Sequence, residues 1–541
     1  MKLPRVMIAA PKSGSGKTLI TCGLLEAMKR RGTDVRAYKC GPDYIDPMFH
    51  RSVLGIPGGN LDTFFSTEEE IRQTLACCGS EAAVIEGVMG IYDGVTGMHG
   101  KGSCYDVAAA SSTPVILVID VKGMGQTMVS VIKGILLDDR HGLIKGIVLN
   151  RISKGYLKQT EPLLKEMLNR ISADRGTEVR LLGGIPASGD ISLESRHLGL
   201  MMPQDISDLK EQLSHAAGLI EENLDMDALS EIMQGAPGLE AVNIRCGAPS
   251  DESAGPCLAV ARDEVFCFYY EENIRMLREA GIRIKEFSPL HDSCLPDDAD
   301  GLLLGGGYPE LHTAELSANA EMLRSIREAI DSGMPSLAEC GGFMYLLGEL
   351  EDKEGSIYSM SGVLEGRSSW TGRLSRFGYI QVTGTKEGTL LSGLSVKAHE
   401  FHYYDSSNNG TDAMAEKPGS GRSWECLHAG SGHIWGYPHL WYPSCPKLIE
   451  RFAGVMEEYR RRGKMDNSHK FFSNRECEYY PCHEGIEEIN CLFCYCPLYH
   501  IDDCPGNPVF KEKNGRRIKV CTGCTFPHRA ENYDEVIKRL K

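Results

Sequence analysis

Three stretches of this chain bring together residue types whose spacing supports chemistry. The first is Met334-Pro-Ser-Leu-Ala-Glu339-Cys340-Gly341-Gly342-Phe-Met-Tyr345. Its short apolar run predicts a buried strand, its glycines a tight turn, and Phe343, Leu346 and Leu347 the apolar face of a helix. That geometry holds a nucleophile on a sharp bend, with its sulfur exposed and the next backbone N–H groups free. The positive end of the helix should also favour thiolate and lower the pKa of Cys340. A buried, inert cysteine at a glycine turn is the competing reading. Gly305, Gly306 and Gly307 follow a second apolar run, Gly301–Leu304. Their backbone N–H groups, with that of Gly341, would form an oxyanion hole for a tetrahedral intermediate at Cys340. The thiol then needs a base, and His399, His402, His433 and His439 are the downstream candidates.

The second stretch is Pro11-Lys12-Ser-Gly14-Ser-Gly16-Lys17-Thr18. It lies between a predicted strand at residues 5–10 and a helix whose apolar face is Ile20, Leu24, Ala27 and Met28. This is a phosphate loop in its expected context. Backbone N–H groups and the helix N-terminus cradle phosphates, Lys17 reaches the β- and γ-phosphates, and Thr18 holds Mg²⁺. A Gly/Ser-rich turn without a ligand is the bland alternative, and the Gly-Lys-Thr junction argues against it.

The third stretch is the C-terminal tail, where eight of the twenty cysteines fall after Arg475. They are Cys477, Cys482, Cys491, Cys494, Cys496, Cys504, Cys521 and Cys524, with His483 and His528 nearby. Paired Cys-x2-Cys with further cysteines close by is metal-ligand spacing, and so small a segment has little apolar core without a staple. Zn²⁺ is the expected ion, and an iron–sulfur cluster suits the same thiolates. Surplus thiols or a redox role is the alternative.

These side chains need a scaffold. Ala82–Glu86, Val115–Asp120 and residues 146–150 are near-continuous apolar runs separated by helical segments. That is the pattern of a parallel sheet covered on both faces, with functional groups at the carboxyl ends of its strands. Glu86, Asp120 and Asn150 fall at such ends, and Asp93 follows Glu86 in a glycine-rich loop. The loop from Lys39 to Pro47 packs Asp43, Tyr44 and Asp46 with a lysine beside prolines and glycine, which is too rigid and too charged for a plain solvated turn. The pattern weakens over residues 201–255, where Pro/Gly-rich stretches mark a linker with a boundary near Pro249. The expected class is α/β, with two parallel-sheet three-layer domains and a small cysteine-rich metal-binding domain. The expected boundaries are 1–235 for the phosphate-loop ATP and substrate domain, 236–256 for the linker, 257–462 for the thiol domain and 469–541 for the tail. Residues 463–468 read as a second linker.

Composition narrows the classes. A net charge of −16 without a long basic run argues against a nucleic-acid partner. No signal-peptide pattern opens the chain and no apolar stretch is long enough to span a bilayer. The expectation is a cytoplasmic protein with no membrane partner and with reduced thiols.

Lys39-Cys-Gly-Pro-Asp-Tyr-Ile-Asp-Pro-Met-Phe-His50, Asn60-Leu-Asp62, the stretch from Glu86 to Gly94 and Arg196-His-Leu-Gly-Leu200 resemble motifs of the cobyrinate a,c-diamide synthase family. So do Leu304-Gly-Gly-Gly-Tyr-Pro-Glu-Leu-His312 and Ala338-Glu-Cys-Gly-Gly-Phe-Met-Tyr-Leu346. That family couples a dethiobiotin-synthetase-like ATPase to a class I-type glutamine amidotransferase. The tail resembles the small cysteine-rich domain found attached to cobalamin-pathway proteins. The resemblance implies ATP and Mg²⁺ at Lys17, Thr18 and Glu86, and phosphorylation of a substrate carboxylate beside Asp43, Tyr44, Glu86 and Asp93. It further implies release of ammonia from L-glutamine at Cys340.

The resemblance has departures. Pro11 stands where the first loop glycine belongs, and Lys12 matches the signature lysine of deviant loops of the dethiobiotin-synthetase and MinD type. Asn150 falls where such folds often place an asparagine whose amide reads the base. His439 matches the activating histidine, but Trp441 replaces a second histidine. Trp441 also stands where many class I amidotransferases carry the glutamate that orients the first, so the orienting partner is unassigned. The implied reaction is amidation of the a and c carboxylates of cob(II)yrinate in cobalamin biosynthesis. Nickel-sirohydrochlorin and hydrogenobyrinate are alternative substrates. A phosphate-loop ATPase switch for metal delivery is a reading from another class, which the Cys340 module argues against. The implied partners are ATP, L-glutamine and a corrinoid or related tetrapyrrole, and a homodimer is compatible with them.

Overall fold

The computed structural model describes residues 2–97, 101–187, 195–196, 199–200, 209–239, 255–466, 471–483, 485–486 and 489–540. His197, Leu198 and the boundary expected near Pro249 lie outside the described residues. The chain divides into two compact units, Met1–Val455 and Met456–Lys541.

The first unit opens with seven strands, β1 (Arg5–Ala9), β2 (Val35–Cys40), β3 (Gly58–Leu61), β4 (Ala82–Glu86), β5 (Val115–Asp120), β6 (Ile144–Asn150) and β7 (Arg180–Ile185), ordered β3-β2-β4-β1-β5-β6-β7. All pairings are parallel. Both faces are covered, which is why these strands read as unbroken apolar runs. Along β1, Val6 and Ile8 enter one core and Met7 and Ala9 the other. The helix α1 (Lys17–Arg30) follows the phosphate loop. Gly23 lets the helix Leu209–Asn223 pack closely on it, since a Cβ at Gly23 would lie 3.0 Å from the Ala216 carbonyl oxygen. The expected loop from Lys39 to Pro47 becomes a second helix, α2 (Ile45–Ser52), part-way along. The Asp43 carboxylate accepts from the N–H groups of Ile45 (2.9 Å) and Asp46 (3.2 Å), which starts the helix there.

Further along this unit the strands Arg283–Phe287, Cys257–Ala261, Gly301–Leu304, Ser336–Glu339 and His433–Gly436 form a second parallel sheet in that order, with His428–Ala429 antiparallel at one edge. Two further sheets are built from residues 347–440, a mixed one of four strands, in which Leu347–Glu351 pairs parallel with Leu364–Trp370, and an antiparallel one of five. The sequence pattern does not foreshadow them. The five-stranded sheet pairs Ser395–His402 with His439–Leu440, placing His399 opposite His439. Cys340 and His439 therefore come from different sheets. The helix Pro446–Asp466 runs past its expected end at Arg462 into the stretch that reads as a second linker.

In the second unit, Val509–Lys513 and Arg516–Val520 form a hairpin. Asn514 and Gly515 turn it, at φ 55° and 73°, the paired positive values of a tight two-residue turn. A helix, Tyr533–Leu540, follows. No helix among the described residues is long and apolar enough to cross a membrane.

Candidate active site

The phosphate loop closes at Gly16, φ 92°, the cap of α1. A Cβ there would lie 2.2 Å from Asn150 Nδ2, so glycine alone lets the end of β6 come this close. Asn150 donates from its amide to the Ser15 carbonyl (2.8 Å) and accepts at Oδ1 from the Arg151 N–H (2.9 Å). The side chain expected to read a base thus also braces the loop. Arg151 adds a bond to the Gly14 carbonyl (2.8 Å) while its Nε donates to Asp120 (2.8 Å). Lys17 Nζ lies inside the loop, donating to the carbonyls of Met89 (2.6 Å) and Lys12 (3.2 Å). The Lys12 side chain is exposed.

Beside the loop is a buried cluster of charge. Thr18 Oγ1 donates to Glu86 Oε1 (2.6 Å), which also accepts from Lys39 Nζ (2.8 Å). Lys39 and Glu86 are directly paired in register across β2 and β4, so the parallel sheet itself joins them. Lys39 also pairs with Asp46 and stands 3.9 Å from Asp43. Burial pushes the Glu86 carboxyl up to about 7, and burial with the charge of Asp46 pushes Asp43 up to about 6. Burial also works against the charge on Asp46, but contact with Lys39 outweighs it and holds that carboxyl below its usual range. Burial acts against Lys39 too, and its three carboxylates prevail, raising it. His50, pushed down to about 4 by burial, sets its Nε2 3.6 Å from Glu86 Oε2. That oxygen is buried and has no hydrogen-bond partner. A hydroxyl beside a carboxylate with a free buried oxygen fits a hard, oxygen-seeking ion such as Mg²⁺. Lys39 and His50 join the site from within the motif stretch, although neither is a site candidate on sequence grounds. Asp93 is such a candidate, and it also has a local role. Its Oδ2 accepts from the Gly90 N–H (2.9 Å) and closes a turn.

Cys340 sits between the strand Ser336–Glu339 and the helix Gly341–Leu346, at φ 48° and ψ −106°, a conformation non-glycine residues seldom adopt. Its N–H donates to the Gly436 carbonyl (2.8 Å). The two glycine turns meet backbone to backbone: a Cβ on Gly341 would lie 3.1 Å from the Gly307 nitrogen, and one on Gly342 2.2 Å from the Leu304 carbonyl oxygen. A Cβ on Gly306 would lie 2.4 Å from His439 Cε1, so the imidazole rests on that glycine. Gly306, Gly307, Gly341 and His439 thus gather around the Cys340 turn.

The thiol is not activated by the helix as expected. Burial, then Glu310, pushes its pKa up, and the hydrogen bond from the Gly341 N–H opposes this only in part. Burial and the neighbouring His399 and His402 push His439 down to about 3. The resting pair is therefore a neutral thiol and a neutral imidazole. Of the other histidines, His402 stacks on Tyr437 (4.0 Å) with Nδ1 2.6 Å from the Tyr404 carbonyl, and His433 stacks on Trp435 (3.9 Å).

The two centres meet at the loop before α2. Tyr44, next to Asp43, has its ring centroid 4.9 Å from that of His439 and 4.4 Å from that of Tyr270. Asn60 shapes this loop, donating to the carbonyls of Gly41 (2.8 Å) and Asp43 (2.7 Å). Phe65 stacks on Trp441 with centroids 5.0 Å apart, and Tyr379 bonds Asp62.

Three family models match the chain. Residues 6–200 match the CobQ/CobB/MinD/ParA nucleotide binding domain, residues 257–441 the CobB/CobQ-like glutamine amidotransferase domain, and residues 468–541 a cysteine-rich small domain. Among similar proteins, the cobyrinate a,c-diamide synthase of Clostridium tetani is 39% identical over 73% of this chain and 86% of its own length. Those of Caldanaerobacter subterraneus subsp. tengcongensis and Picrophilus torridus are 33% and 35% identical, each over 84% of this chain and 99% of its own length. The chain belongs to the cobyrinate a,c-diamide synthase family. It is accordingly a glutamine amidotransferase ligase, which forms carbon–nitrogen bonds in cobalamin biosynthesis, and its nucleotide-binding domain implies use of ATP and Mg²⁺.

The relatives are covered almost fully by the residues before the tail. Among the described residues of the tail, no group of three or more His, Cys, Asp or Glu side chains is arranged to hold an ion. The thiols do sort into neighbourhoods. Cys496, Cys504, Cys521 and Cys524 act on one another's charge, whereas Cys482 lies 3.3 Å from His483 Nδ1 and the His483 and His528 rings are 4.2 Å apart. Cys491 accepts from the Asn474 N–H (3.3 Å). The described contacts thus place the expected ligands in more than one neighbourhood, and Cys477 and Cys494 join neither in any described contact. The four-thiol neighbourhood has the donor chemistry of a zinc or iron–sulfur site without the assembled geometry. Elsewhere, Cys77 is disulfide-bonded, an exception to the expectation of reduced thiols.

Proposed function

We propose that the chain amidates the a and c carboxylates of cob(II)yrinate with ATP and L-glutamine, through acyl phosphates. The observation that supports this most is the shared loop. Asp43 and Asp46 face Lys39 in the charged centre, and Tyr44 between them lies against His439 in the thiol centre. An ammonia-making site beside a carboxylate-activating site is what such an enzyme needs.

At the thiol centre, the Cys340 proton moves to His439 and the sulfur attacks the γ-carbonyl carbon of glutamine. The N–H groups of Gly307 and Gly341 hold the oxyanion. Collapse of the tetrahedral intermediate returns the proton to the departing ammonia and leaves a thioester, which water hydrolyses to glutamate. At the charged centre, a substrate carboxylate oxygen attacks the γ-phosphorus of ATP and ADP leaves. Ammonia then attacks the acyl carbon and phosphate departs. Lys17 and Lys39 offset the repulsion between two anions brought together. Thr18 and Glu86 would hold Mg²⁺, which when bound supplies further positive charge at the phosphates. Gly14 and Gly16 shape the phosphate cradle, and Lys12 lies exposed at its rim.

The domain boundaries belong to the same proposal: ATP and substrate over 1–235, the amidotransferase from 257 to the end of the helix at Asp466, and the tail from 469. Within the tail, Zn²⁺ or an iron–sulfur cluster would be held by Cys496, Cys504, Cys521 and Cys524. Metal analysis of the whole chain, purified anaerobically and reduced, tests this: a stoichiometric metal is expected, and none would contradict it. For the reaction, the protein is incubated with ATP, Mg²⁺, glutamine and cob(II)yrinate, nickel-sirohydrochlorin or hydrogenobyrinate. Mass spectrometry should show two successive amidations of cob(II)yrinate. Amidation of another ring alone would move the substrate assignment, and ATP turnover indifferent to all three would favour a switch.

A further inference from the structure

His439 lacks an orienting group in the segment that follows it, where Trp441 stands and stacks on Phe65. A carboxylate arrives from the other sheet. Glu339 ends the strand Ser336–Glu339, directly before Cys340, and its side chain is 11% exposed. Its Oε1 accepts from Tyr442 Oη (3.0 Å) and from the Leu440 N–H (3.4 Å). These donors flank Trp441, so the carboxylate is tied to the very segment that carries His439. Its other oxygen, Oε2, is left 3.8 Å from His439 Nδ1. Nδ1 is buried and has no hydrogen-bond partner. Only the approach distance is long: 3.8 Å exceeds a hydrogen bond by somewhat under ~1 Å, and catalytic hydrogen bonds often tighten when substrate binds. The rest of the imidazole is confined, with Cε1 on Gly306 and Tyr44 across its face.

We propose that Glu339 is the positioning residue for His439. In its ionised form its Oε2 accepts from Nδ1–H, which fixes the tautomer that leaves Nε2 free to take the Cys340 proton. The carboxylate then stabilises the imidazolium that forms, and no proton passes to Glu339. The nucleophile and the group that orients its base are thus neighbours in sequence. This rests on the reading of Cys340 and His439 as the glutaminase pair.

Glu339→Gln tests it, because the amide oxygen can still accept from Tyr442 and Leu440 while the amide nitrogen cannot accept from Nδ1–H. Glutamine hydrolysis by the full chain should lose about 100-fold in kcat, with KM for glutamine changed less than about threefold. Alkylation of Cys340 by iodoacetamide should slow in parallel. Glu339→Asp should recover about tenfold of the loss, because an acceptor returns at a longer reach. Tyr442→Phe removes the tie but not the acceptor, and should cost less than about fivefold. Two results would overturn the proposal: Glu339→Gln hydrolysing glutamine at the wild-type kcat, or Tyr442→Phe and Glu339→Gln falling equally, which would make Glu339 a purely structural tie. Failure of the underlying pair is separately visible, as glutamine hydrolysis surviving in His439→Ala. If Glu339→Gln does not fold, the Asp and Tyr442→Phe variants decide by their order alone.

Discussion

The Lys39 centre and the Cys340 centre are equally buried and electrically opposite. Around Lys39 the fold retains charge inside the protein, one ammonium among Glu86, Asp46 and Asp43. Around Cys340 it removes charge: burial lifts the thiol, drives His439 down to about 3 and lifts Glu339 to about 8. The difference matches what the proposed reaction would ask of each centre. Joining a carboxylate to a triphosphate brings like charges together and needs fixed counter-charge. Ammonia must leave its birthplace unprotonated, and neutral surroundings offer ammonium no stabilisation. On the thiol side, ions form only in passing, as imidazolium opposite an ionised Glu339.

The comparison breaks most severely at Lys39. Lys39→Met would leave the buried carboxylates of Asp46 and Glu86 and the half-buried one of Asp43 uncompensated, which should cost about 3–5 kcal/mol of stability and abolish amidation from glutamine and from ammonia alike. Thermal unfolding and mass spectrometry check this, and an active, stable variant would show that the cluster's charge is dispensable. Next, Gly306→Ala would push a methyl group into the His439 ring, 2.4 Å from Cε1. Glutamine-dependent turnover should fall about 100-fold while ammonia-dependent turnover persists. The seam between the centres comes third. Tyr44→Ala should raise the ratio of glutamate released to amide formed by about tenfold, because ammonia made at one site escapes capture at the other. An unchanged ratio would mean that ammonia does not pass Tyr44.

The smallest effect is on pH dependence. His399 is buried with its pKa driven down to about 3 by burial, so its neutral form is the folded one. The unfolded chain takes up that proton below about 6.5 and the folded chain does not, so stability falls as pH drops from about 6.5 towards 3. At pH 5 this should amount to about 2 kcal/mol, present in the wild type and absent in His399→Gln. Parallel slopes in the two proteins would contradict it.

Much of the fold and site is legible in the residues, and what is not shares a cause. The phosphate loop and the Cys340 turn are local, set by residues a few positions apart, and both appear where their motifs stand. The Lys39–Glu86 bond spans 47 residues and exists because β2 and β4 are neighbours in register. The Glu339–Tyr442 bond spans 103 residues and joins a strand of the second parallel sheet to the 3-10 turn Tyr442–Ser444. The bracing role of Asn150 is not legible, because its residue type and its place at a strand end say nothing of how closely Gly16 lets the loop approach. Asp93 carries the right chemistry for a site, but its nearest donor is a backbone N–H three residues away. The thiol's pKa runs against expectation because a helix end is visible in sequence, whereas depth of burial is not. The two smaller sheets of residues 347–440 escape because their strands alternate only weakly between polar and apolar residues, as in Leu364–Trp370.

The most direct test is a division of labour in one variant, Cys340→Ser. Amide formation on the tetrapyrrole is followed with ATP and Mg²⁺, once with glutamine and once with ammonium chloride at a pH where free ammonia is abundant. If one centre makes ammonia and the other uses it, the variant should fail with glutamine and match the wild type with ammonia. Retained glutamine-dependent amidation, or loss of both, would contradict that division.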